Sequence, residues 1–378
     1  MASEHYIEQG GKRLRCGFTT GTCAAAASAA AVSVLLGGEM VEQVSVETPA
    51  GIVAVLEIKE TKIDSGGASC AVLKDGGDDP DVTSGALIFA RVAKSSVPGV
   101  IIDGGAGVGR VTKPGLDQSV GEAAINSVPR KMISQCVADV CKRHGYCEGI
   151  RVVISVPDGE EIVRRTFNPH MGIEGGISII GTTGVVEPMS NRALIETIRL
   201  ELRQHAALGE RSILLTPGNY GESFITNVLK LGDKPCASCS NYIGDAIDAA
   251  IEYDFNSIVL IGHIGKLVKL GIGMLNTHSS NGDGRMETLI ACALEAGADV
   301  ELLRGISQCV ATDAALSLMF DAGILEKSMK ILSKRIGACL DRCTAQRATV
   351  GFICFTKTGA YAGVLAQSEN AERLLEHA

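Results

Sequence analysis

The sequence contains no tryptophan, and its 378 residues include only six tyrosines and eight phenylalanines. Proteins that bind single-stranded nucleic acid commonly stack bases on aromatic rings, so this scarcity argues against such a role. Positive charge is also in deficit, with 35 Lys and Arg against 43 Asp and Glu and a net charge of -8. Because a nonspecific nucleic-acid binder is normally basic, we expect no nucleic-acid partner.

The sequence also has no uninterrupted apolar run long enough for a membrane span. The longest run, 23–36, is rich in alanine and contains serine. It falls short of the roughly 20 residues that a bilayer requires. Glu4 and Glu8 precede this run and argue against a secretory signal peptide. We therefore expect no membrane partner.

Cysteine is abundant, but thirteen is an odd number and the chain is long, which does not fit a small disulfide framework. Reduced thiols and a cytoplasmic location are expected. Cys236 and Cys239 form a single C-x-x-C pair, whereas a zinc site needs two close pairs. We interpret them as buried apolar cysteines and expect no protein-bound metal.

The length suggests roughly two domains, and the pattern of elements changes near residue 190. Before it, predicted strands and helices do not alternate strictly, which indicates an α+β domain over 1–190. From Met189 onward strands alternate with helices, which indicates an α/β domain over 191–378 with a small, mainly parallel sheet. A capped alanine helix (24–36) and amphipathic helices (191–205 and 285–296) are among the predicted elements.

Three glycine-bearing loops, 181–184, 216–219 and 262–266, are candidate ligand sites at strand ends of the second half. Open parallel sheets bind ligands beyond the carboxyl ends of their strands, and glycine lets the backbone approach a ligand closely. The alternative is that these glycines only form tight turns. The three loops together favour a ligand site, with these residues as candidates: Gly181, Thr182, Thr183, Gly218, Asn219, Gly262, His263 and Gly265.

Two segments of the sequence partly match nucleotide-binding motifs, but neither matches completely. The segment 262–266 resembles the end of a phosphate-binding loop, yet Leu260 replaces the required glycine and Leu267 replaces the magnesium-binding hydroxyl residue. The segment 105–110 follows a predicted strand, but its glycine spacing misses the dinucleotide pattern by one residue. We therefore predict no nucleotide site of either kind.

The acidic run 75–81 fails the spacing of a calcium loop, because Pro80 and Ala86 occupy the positions of the required glycine and glutamate. Two interpretations stay open. The run is either a solvated acidic turn or a site that orients a substrate or takes a proton. In the second case the candidate catalytic residues are Asp78, Asp79 and Asp81.

Several basic residues stand near the glycine-rich loops and could anchor a carboxylate. They are Arg110, Lys113, Arg130 and Lys266. For each, a solvated surface charge is the alternative. Of the histidines, His263 and His278 occur in loops rich in glycine and hydroxyl residues.

Seven segments carry a resemblance to one family: 17–23, 75–83, 107–116, 175–184, 216–219, 262–270 and 276–279. In this order, and over almost the whole chain, they resemble the cobalt-precorrin-5B C1-methyltransferase family of anaerobic cobalamin biosynthesis. The chain departs from the family's pattern at Ser84, where a histidine is expected, and at Ala123 and Ser127, where prolines are usual.

The resemblance implies S-adenosylmethionine-dependent methylation of ring carbon C1, converting cobalt-precorrin-5B to cobalt-precorrin-6A. It implies that the three loops, assigned to the second domain, bind the methyl donor. It also implies a tetrapyrrole substrate that brings its own cobalt and whose carboxylate arms contact these residues: Arg110, Lys113, Arg130, Lys266 and His278. The alternatives are a noncatalytic corrinoid carrier and a methylase of another ring carbon, and a homo-oligomer stays open.

Overall fold

The computed structural model describes residues 5–166, 168–169 and 171–376. The chain divides into two compact units, Met1–Asn191 and Arg192–Ala378. Both units combine helices with β-sheets, so the fold class is mixed α/β, as the sequence predicts.

The first unit is built on a sheet with strand order β4-β5-β6-β7-β11-β8, and short two-stranded pairs surround it. Its neighbouring strands are antiparallel except for β11 and β8, which are parallel. The elements of this unit are β1 Tyr6–Gln9, β2 Lys12–Arg15, β3 Gly17–Phe18, α1 Thr20–Gly37, β4 Gln43–Glu47, β5 Val53–Asp64, β6 Gly67–Leu73, β7 Leu87–Ser95, β8 Val100–Gly104, β9 Gly107–Val108, β10 Arg110–Val111, α2 Ser127–Arg143, β11 Gly149–Ser155, α3 Gly159–Ile162, a 3-10 turn Val163–Arg165, β12 Ile173–Glu174, β13 Gly176–Ile177 and β14 Val185–Val186.

Helix α1 forms the centre of this unit's core, packed against α2 and against strands β6 and β7. The Thr19 hydroxyl accepts the Thr22 N–H at 3.2 Å, and Gly38 ends the helix with a φ of 75°. The helix thus begins at Thr20, four residues before the predicted start, and ends at Gly37, one residue after the predicted end, with a threonine and a glycine as its caps. By length and composition α1 could cross a membrane, but 78% of it is buried inside the protein. Alanine on every face allows this close packing.

The second unit is built on a sheet with strand order β16-β15-β17-β18-β19, parallel except for β19. This confirms the predicted mainly parallel sheet. The elements are α4 Asn191–Ala207, β15 Ser212–Thr216, α5 Asn219–Phe224, a π-helical turn Ile225–Leu229, β16 Cys236–Ser238, α6 Ile243–Glu252, β17 Ser257–His263, α7 Ile264–Leu267, a 3-10 turn Val268–Ile272, a 3-10 turn Ser279–Asn281, α8 Arg285–Ala296, α9 Val300–Ser307, α10 Thr312–Asp321, α11 Leu325–Thr344, β18 Thr349–Thr356, β19 Gly363–Gln367 and α12 Ala371–Glu376.

Helices cover both faces of this second sheet. Along β17, Ile258 and Leu260 point into a large core with α4, α6, α8 and α11, whereas Val259 and Ile261 point into a smaller core with α5 and α12. Successive strand residues face opposite sides, which explains why the central strands are apolar throughout. The unit is therefore a doubly wound sheet.

The strand order reverses direction between β15 and β17. The chain passes from β15 to its neighbour β16 on one side, and then places β17 and β18 on the other side. In open α/β sheets, a ligand crevice forms at this reversal, beyond the carboxyl ends of the two strands. The fold thus positions the loops that follow β15 and β17 as a candidate site.

Candidate functional site

The carboxyl ends of β15 and β17 bring two predicted ligand loops to one edge of the second sheet. The two strands pair in parallel, so the loops 216–219 and 262–266 leave the sheet on the same side. Gly218 has a φ of 107°, which strongly favours glycine. A Cβ on Gly218 would lie 3.7 Å from the Nζ atom of Lys266. The structure therefore brings Gly218 and Lys266 together.

Gly262 allows the two loops to approach each other. A Cβ at this position would come within 2.8 Å of the Pro217 ring, closer than real contacts of this kind. Asn219 follows as the exposed first residue of α5. The sequence-predicted residues of these two loops thus share one edge of the sheet.

Lys266 is a half-buried cation with few partners. Its ammonium donates a long hydrogen bond of 3.4 Å to the Ser240 carbonyl, and within the described ranges it makes no ion pair. Burial lowers the pKa of Lys266 below its ordinary value. An ammonium group can donate three hydrogen bonds, so most of this capacity is unused.

Glu201 is a half-buried carboxyl group beside the end of β16. Its Oε2 atom accepts the Ser238 N–H at 3.3 Å. Burial raises the pKa of Glu201 to about 7, and the charge of Glu222 adds to the rise. The charges of Glu201 and Lys266 both act on the buried thiol of Cys239. Burial raises the pKa of Cys239 to about 12, which Lys266 opposes and Glu201 reinforces.

His263 ends β17 and caps the short helix α7. Its Nδ1 atom accepts the Gly265 N–H at 3.1 Å, so the proton of the neutral ring is on Nε2. The ring lies edge-on to Phe355, with 5.7 Å between ring centroids, and 6.0 Å from the Tyr220 ring. Burial lowers the pKa of His263, with Asp313 opposing this shift. The structure therefore favours a neutral imidazole here.

Tyr220 adds an exposed aromatic ring to the same edge. Its side chain is 64% exposed, and the Lys357 ammonium lies 4.4 Å from the ring centroid. An exposed aromatic ring offers a flat apolar surface. Tyr220, Lys357, Glu201 and Ser240 are site-lining residues that the sequence analysis did not predict.

His278 is exposed and shapes a neighbouring loop. Its Nδ1 atom accepts the Ser280 N–H at 3.2 Å and caps the turn Ser279–Asn281. The buried Lys269 holds the same loop by donating to the carbonyls of Thr277 and Gly282, at 3.1 and 2.9 Å. The predicted role of His278 in substrate binding stays a prediction.

The loop 181–184 lies in the first unit, which corrects its predicted assignment to the second domain. A Cβ on Gly181 would lie 2.2 Å from the hydroxyl oxygen of Thr19, and the Gly184 carbonyl accepts the Thr22 hydroxyl at 2.7 Å. The Thr183 carbonyl accepts the Ala50 N–H. The loop lies just before α4 in the sequence, but in the structure it contacts Thr19 and Thr22 at the start of α1. Whether Gly181, Thr182 and Thr183 contact a ligand stays a prediction.

The acidic run packs against the segment before α1, and its carboxylates have protein partners. Arg15 forms a two-bonded ion pair with Asp75, at 2.6 and 2.9 Å, and donates its backbone N–H to Asp78 at 2.7 Å. Asp79 accepts the Met189 N–H at 2.9 Å.

Asp81 forms an ion pair of 2.5 Å with Lys74, whose side chain is only 2% exposed. Burial raises the pKa of Asp81, but Lys74 and Thr83 more than offset it, so the pKa lies below its ordinary value. The lowered pKa makes Asp81 a weak proton acceptor. Asp78, in contrast to the partly buried Asp81, is exposed to solvent. The catalytic assignment of Asp78, Asp79 and Asp81 stays a prediction.

The basic candidates of the first unit differ in their partners. Arg110 pairs with Asp103 at 2.8 Å and donates to the Gly104 carbonyl. Arg130 donates to the carbonyls of Ile125 and Ile102, at 2.8 and 3.0 Å, and has no ion-pair partner in the described part of the chain. The exposed Lys113 lies over Gly172. Arg130 is therefore a cation of fixed orientation whose charge is not neutralised.

Two surface depressions lie elsewhere. One, of about 220 Å³, lies between α11 and β19, and the other, of about 250 Å³, adjoins Ser84 and Arg165. Among residues 5–166, 168–169 and 171–376, no three His, Cys, Asp or Glu side chains group as metal ligands.

The fold defines a class of mixed α/β proteins with two units, the second of them doubly wound. The family model described as CbiD matches residues 7–188, and the model described as CbiD, C-terminal domain, matches residues 276–365. The chain belongs to the CbiD family.

Curated relatives carry one common name. The chain is 45% identical over 353 residues to the cobalt-precorrin-5B C(1)-methyltransferase of Ruminiclostridium cellulolyticum, covering 93% of this chain and 92% of that protein. It is 40% identical to the protein of the same name from Alkaliphilus metalliredigens, covering 99% and 97%. A crystal structure of the cobalamin biosynthesis protein cbiD from Archaeoglobus fulgidus is 29% identical, with a TM-score of 0.40, covering 77% of this chain and 87% of that one.

Proposed function

We propose that this chain methylates ring carbon C1 of cobalt-precorrin-5B, forming cobalt-precorrin-6A in anaerobic cobalamin biosynthesis, with S-adenosylmethionine as the donor. The observation that carries the proposal is the 45% identity over 93% of the chain to a relative named for this reaction. S-adenosylmethionine, when bound, supplies an electrophilic methyl group on a sulfonium sulfur. The electron-rich macrocycle supplies the nucleophilic carbon, so the protein needs no nucleophile of its own.

The donor is assigned to the edge of the second sheet where β15 and β17 end. Gly218 leaves room for a ligand there, and the underused hydrogen-bonding capacity of Lys266 and Glu201 fits a polar one. His263 offers an Nε2–H donor, and Asn219, Gly262 and Gly265 complete the loops. Residues that hold two reactants in line can supply much of a rate enhancement by positioning alone.

The carboxylate arms of the tetrapyrrole are assigned to basic residues. Arg130 supports this best, because carbonyl groups fix its guanidinium without neutralising the charge. Arg110 is held in place by Asp103, and Lys113 is exposed. Guanidinium groups bind carboxylates with two parallel hydrogen bonds.

If a proton must leave the ring, Asp78 or Asp79 is the better acceptor. Asp81 is less suited, because Lys74 stabilises its charged form and so lowers its basicity. Replacing each of them with asparagine distinguishes the two, because methylation slows when the residue that accepts the proton is replaced.

A cytoplasmic location is also inferred. All thirteen cysteines are free thiols, which suits a reducing compartment. No nucleic-acid or membrane partner is proposed, and a homo-oligomer is left to sedimentation analysis.

The test is incubation of the purified protein with cobalt-precorrin-5B and methyl-labelled S-adenosylmethionine, followed by mass and NMR analysis of the product. One added methyl group at C1 supports the proposal, and a reaction without donor is the control. Label at another ring carbon indicates a different ring methylase. Tight binding of the tetrapyrrole without methyl transfer indicates a corrinoid carrier instead.

A further inference from the structure

Glu201 and Lys266 are two opposite charges with few partners at the same edge of the second sheet. Glu201 accepts one hydrogen bond, from the N–H of Ser238 at the end of β16. Lys266 donates one, to the carbonyl of Ser240, two residues further on. Neither side chain forms an ion pair with the other or with any other described residue. The two charged groups thus contact opposite ends of one three-residue segment.

Half-buried charged groups with so few hydrogen bonds destabilise the folded protein. Each group loses hydration on burial, and a single hydrogen bond longer than 3.2 Å returns little of that free energy. A carboxylate can accept about four hydrogen bonds and an ammonium can donate three. Both groups therefore have unused hydrogen-bonding capacity for a ligand group of opposite charge.

The backbone beside the two groups is partly exposed to solvent. Gly218 has no side chain, and a Cβ there would lie 3.7 Å from the Lys266 Nζ atom, with no other described group within 4 Å apart from the neighbouring residues of the chain. Gly218, Ser238 and Ser240 are all partly exposed. A ligand can reach both charged groups from solvent along the edge of the sheet.

The geometry points to Glu201 and Lys266 as a joint binding site for the α-amino carboxylate end of the methyl donor. Lys266 pairs with the carboxylate, and Glu201 pairs with the ammonium. This inference rests on the proposed function and assigns Lys266 to the donor rather than to the arms of the tetrapyrrole. A simple anion would meet the repulsion of Glu201, and a simple cation would meet that of Lys266. A zwitterion satisfies both groups.

The first test uses the wild-type protein and isothermal titration calorimetry with two probes. S-adenosylhomocysteine keeps the zwitterion but carries no reactive methyl group, and methylthioadenosine lacks the zwitterion. We expect S-adenosylhomocysteine to bind about tenfold tighter or more, because charge-assisted hydrogen bonds are lost in the other probe. Equal affinities overturn the inference without involving any variant.

The second test uses Lys266→Ala and Glu201→Gln. Each is expected to weaken S-adenosylhomocysteine about tenfold or more and to leave methylthioadenosine unchanged. The decarboxylated analogue of S-adenosylhomocysteine should bind wild type and Lys266→Ala alike, because the group that Lys266 contacts is missing. Lys266→Arg keeps the charge and should restore most of the affinity.

Matched controls come from exposed positions of the same unit. Lys334→Ala lies on α11, and Glu196→Gln lies on α4, five residues before Glu201. Both should bind S-adenosylhomocysteine as wild type does. Variants at Glu201 and Lys266 that bind it equally well overturn the inference, and so does a parallel loss for both probes.

The proposed function fails in a different way. If wild type binds neither probe and transfers no methyl group, the donor assignment itself is wrong. If wild type transfers the methyl group while both charge variants keep full affinity for S-adenosylhomocysteine, the function stands and only the charge-pair inference is wrong.

Discussion

The half-buried carboxyl group of Glu201 makes the stability of the folded chain depend on pH. Burial raises its pKa to about 7, from 4.5 for an ordinary glutamate, so the folded state holds this proton more tightly than the unfolded state. The resulting stabilisation is complete below about pH 4.5 and is lost as the pH rises through 7. Glu222 and the thiols of Cys236 and Cys239 are the titratable groups that interact with it.

Glu201→Gln should remove this dependence. We expect the free energy of unfolding of the variant, relative to wild type, to rise by about 3 kcal/mol between pH 4.5 and pH 8. Urea unfolding followed by circular dichroism at several pH values measures the difference. Glu196→Gln, at an exposed position of the same helix, should show no such trend. If the free energies of unfolding of Glu201→Gln and wild type differ by the same amount at every pH, the raised pKa of Glu201 is contradicted.

The loop that contains the acidic run is tied to a buried lysine by an ion pair. Lys74 is buried and reaches Asp81 at 2.5 Å, so Lys74→Met leaves the carboxylate in a partly buried place without its partner. Removal of one member of a buried ion pair costs about 3–5 kcal/mol. We expect a loss of this size in urea unfolding.

Lys59→Met is the matched control for the loop. Lys59 also pairs with a carboxylate at 2.5 Å, that of Glu57, but both side chains are largely exposed, 45% and 62%. Exposed pairs contribute about 0–1 kcal/mol. Similar losses for Lys74→Met and Lys59→Met would show that burial of Lys74 does not matter. The double change Lys74→Met with Asp81→Asn should recover part of the loss.

At this same scale, local signals predicted some elements and missed others. Helix α1 was predicted from its threonine cap, alanine run and terminal glycines, all of which act within the element. Strands β6 and β7 were not predicted, because Ala68, Cys70 and Ala90 fill buried positions where small side chains give little strand signal.

Some residues of the candidate site were likewise predicted from local signals, and others were missed. Gly218, His263 and Lys266 were predicted because they follow recognisable strands. Glu201 was missed because its contact with Ser238 spans 37 residues and depends on how α4 packs on the sheet. The sequence did contain one indication of Glu201, because this charged residue lies beside Ile198 and Leu202 on the apolar face of α4.

At the scale of the whole molecule, burial should protect nearly all of the thiols. Of the thirteen free cysteines, Cys147 is exposed and the others are buried or partly buried. Burial raises the pKa of Cys136 and Cys343 to about 11 and that of Cys236 to about 12. Thiol reagents attack the thiolate, so both access and ionisation limit these groups.

We therefore expect a disulfide reagent at pH 8 to modify one thiol of the native protein rapidly, and all thirteen after unfolding in urea. The absorbance of the released thiolate measures both phases. Cys147→Ser should abolish the rapid phase, while Cys309→Ser, at a half-buried position, should leave it intact. A rapid phase of several thiols would contradict the burial of the two cores, because the cysteines are distributed over both units.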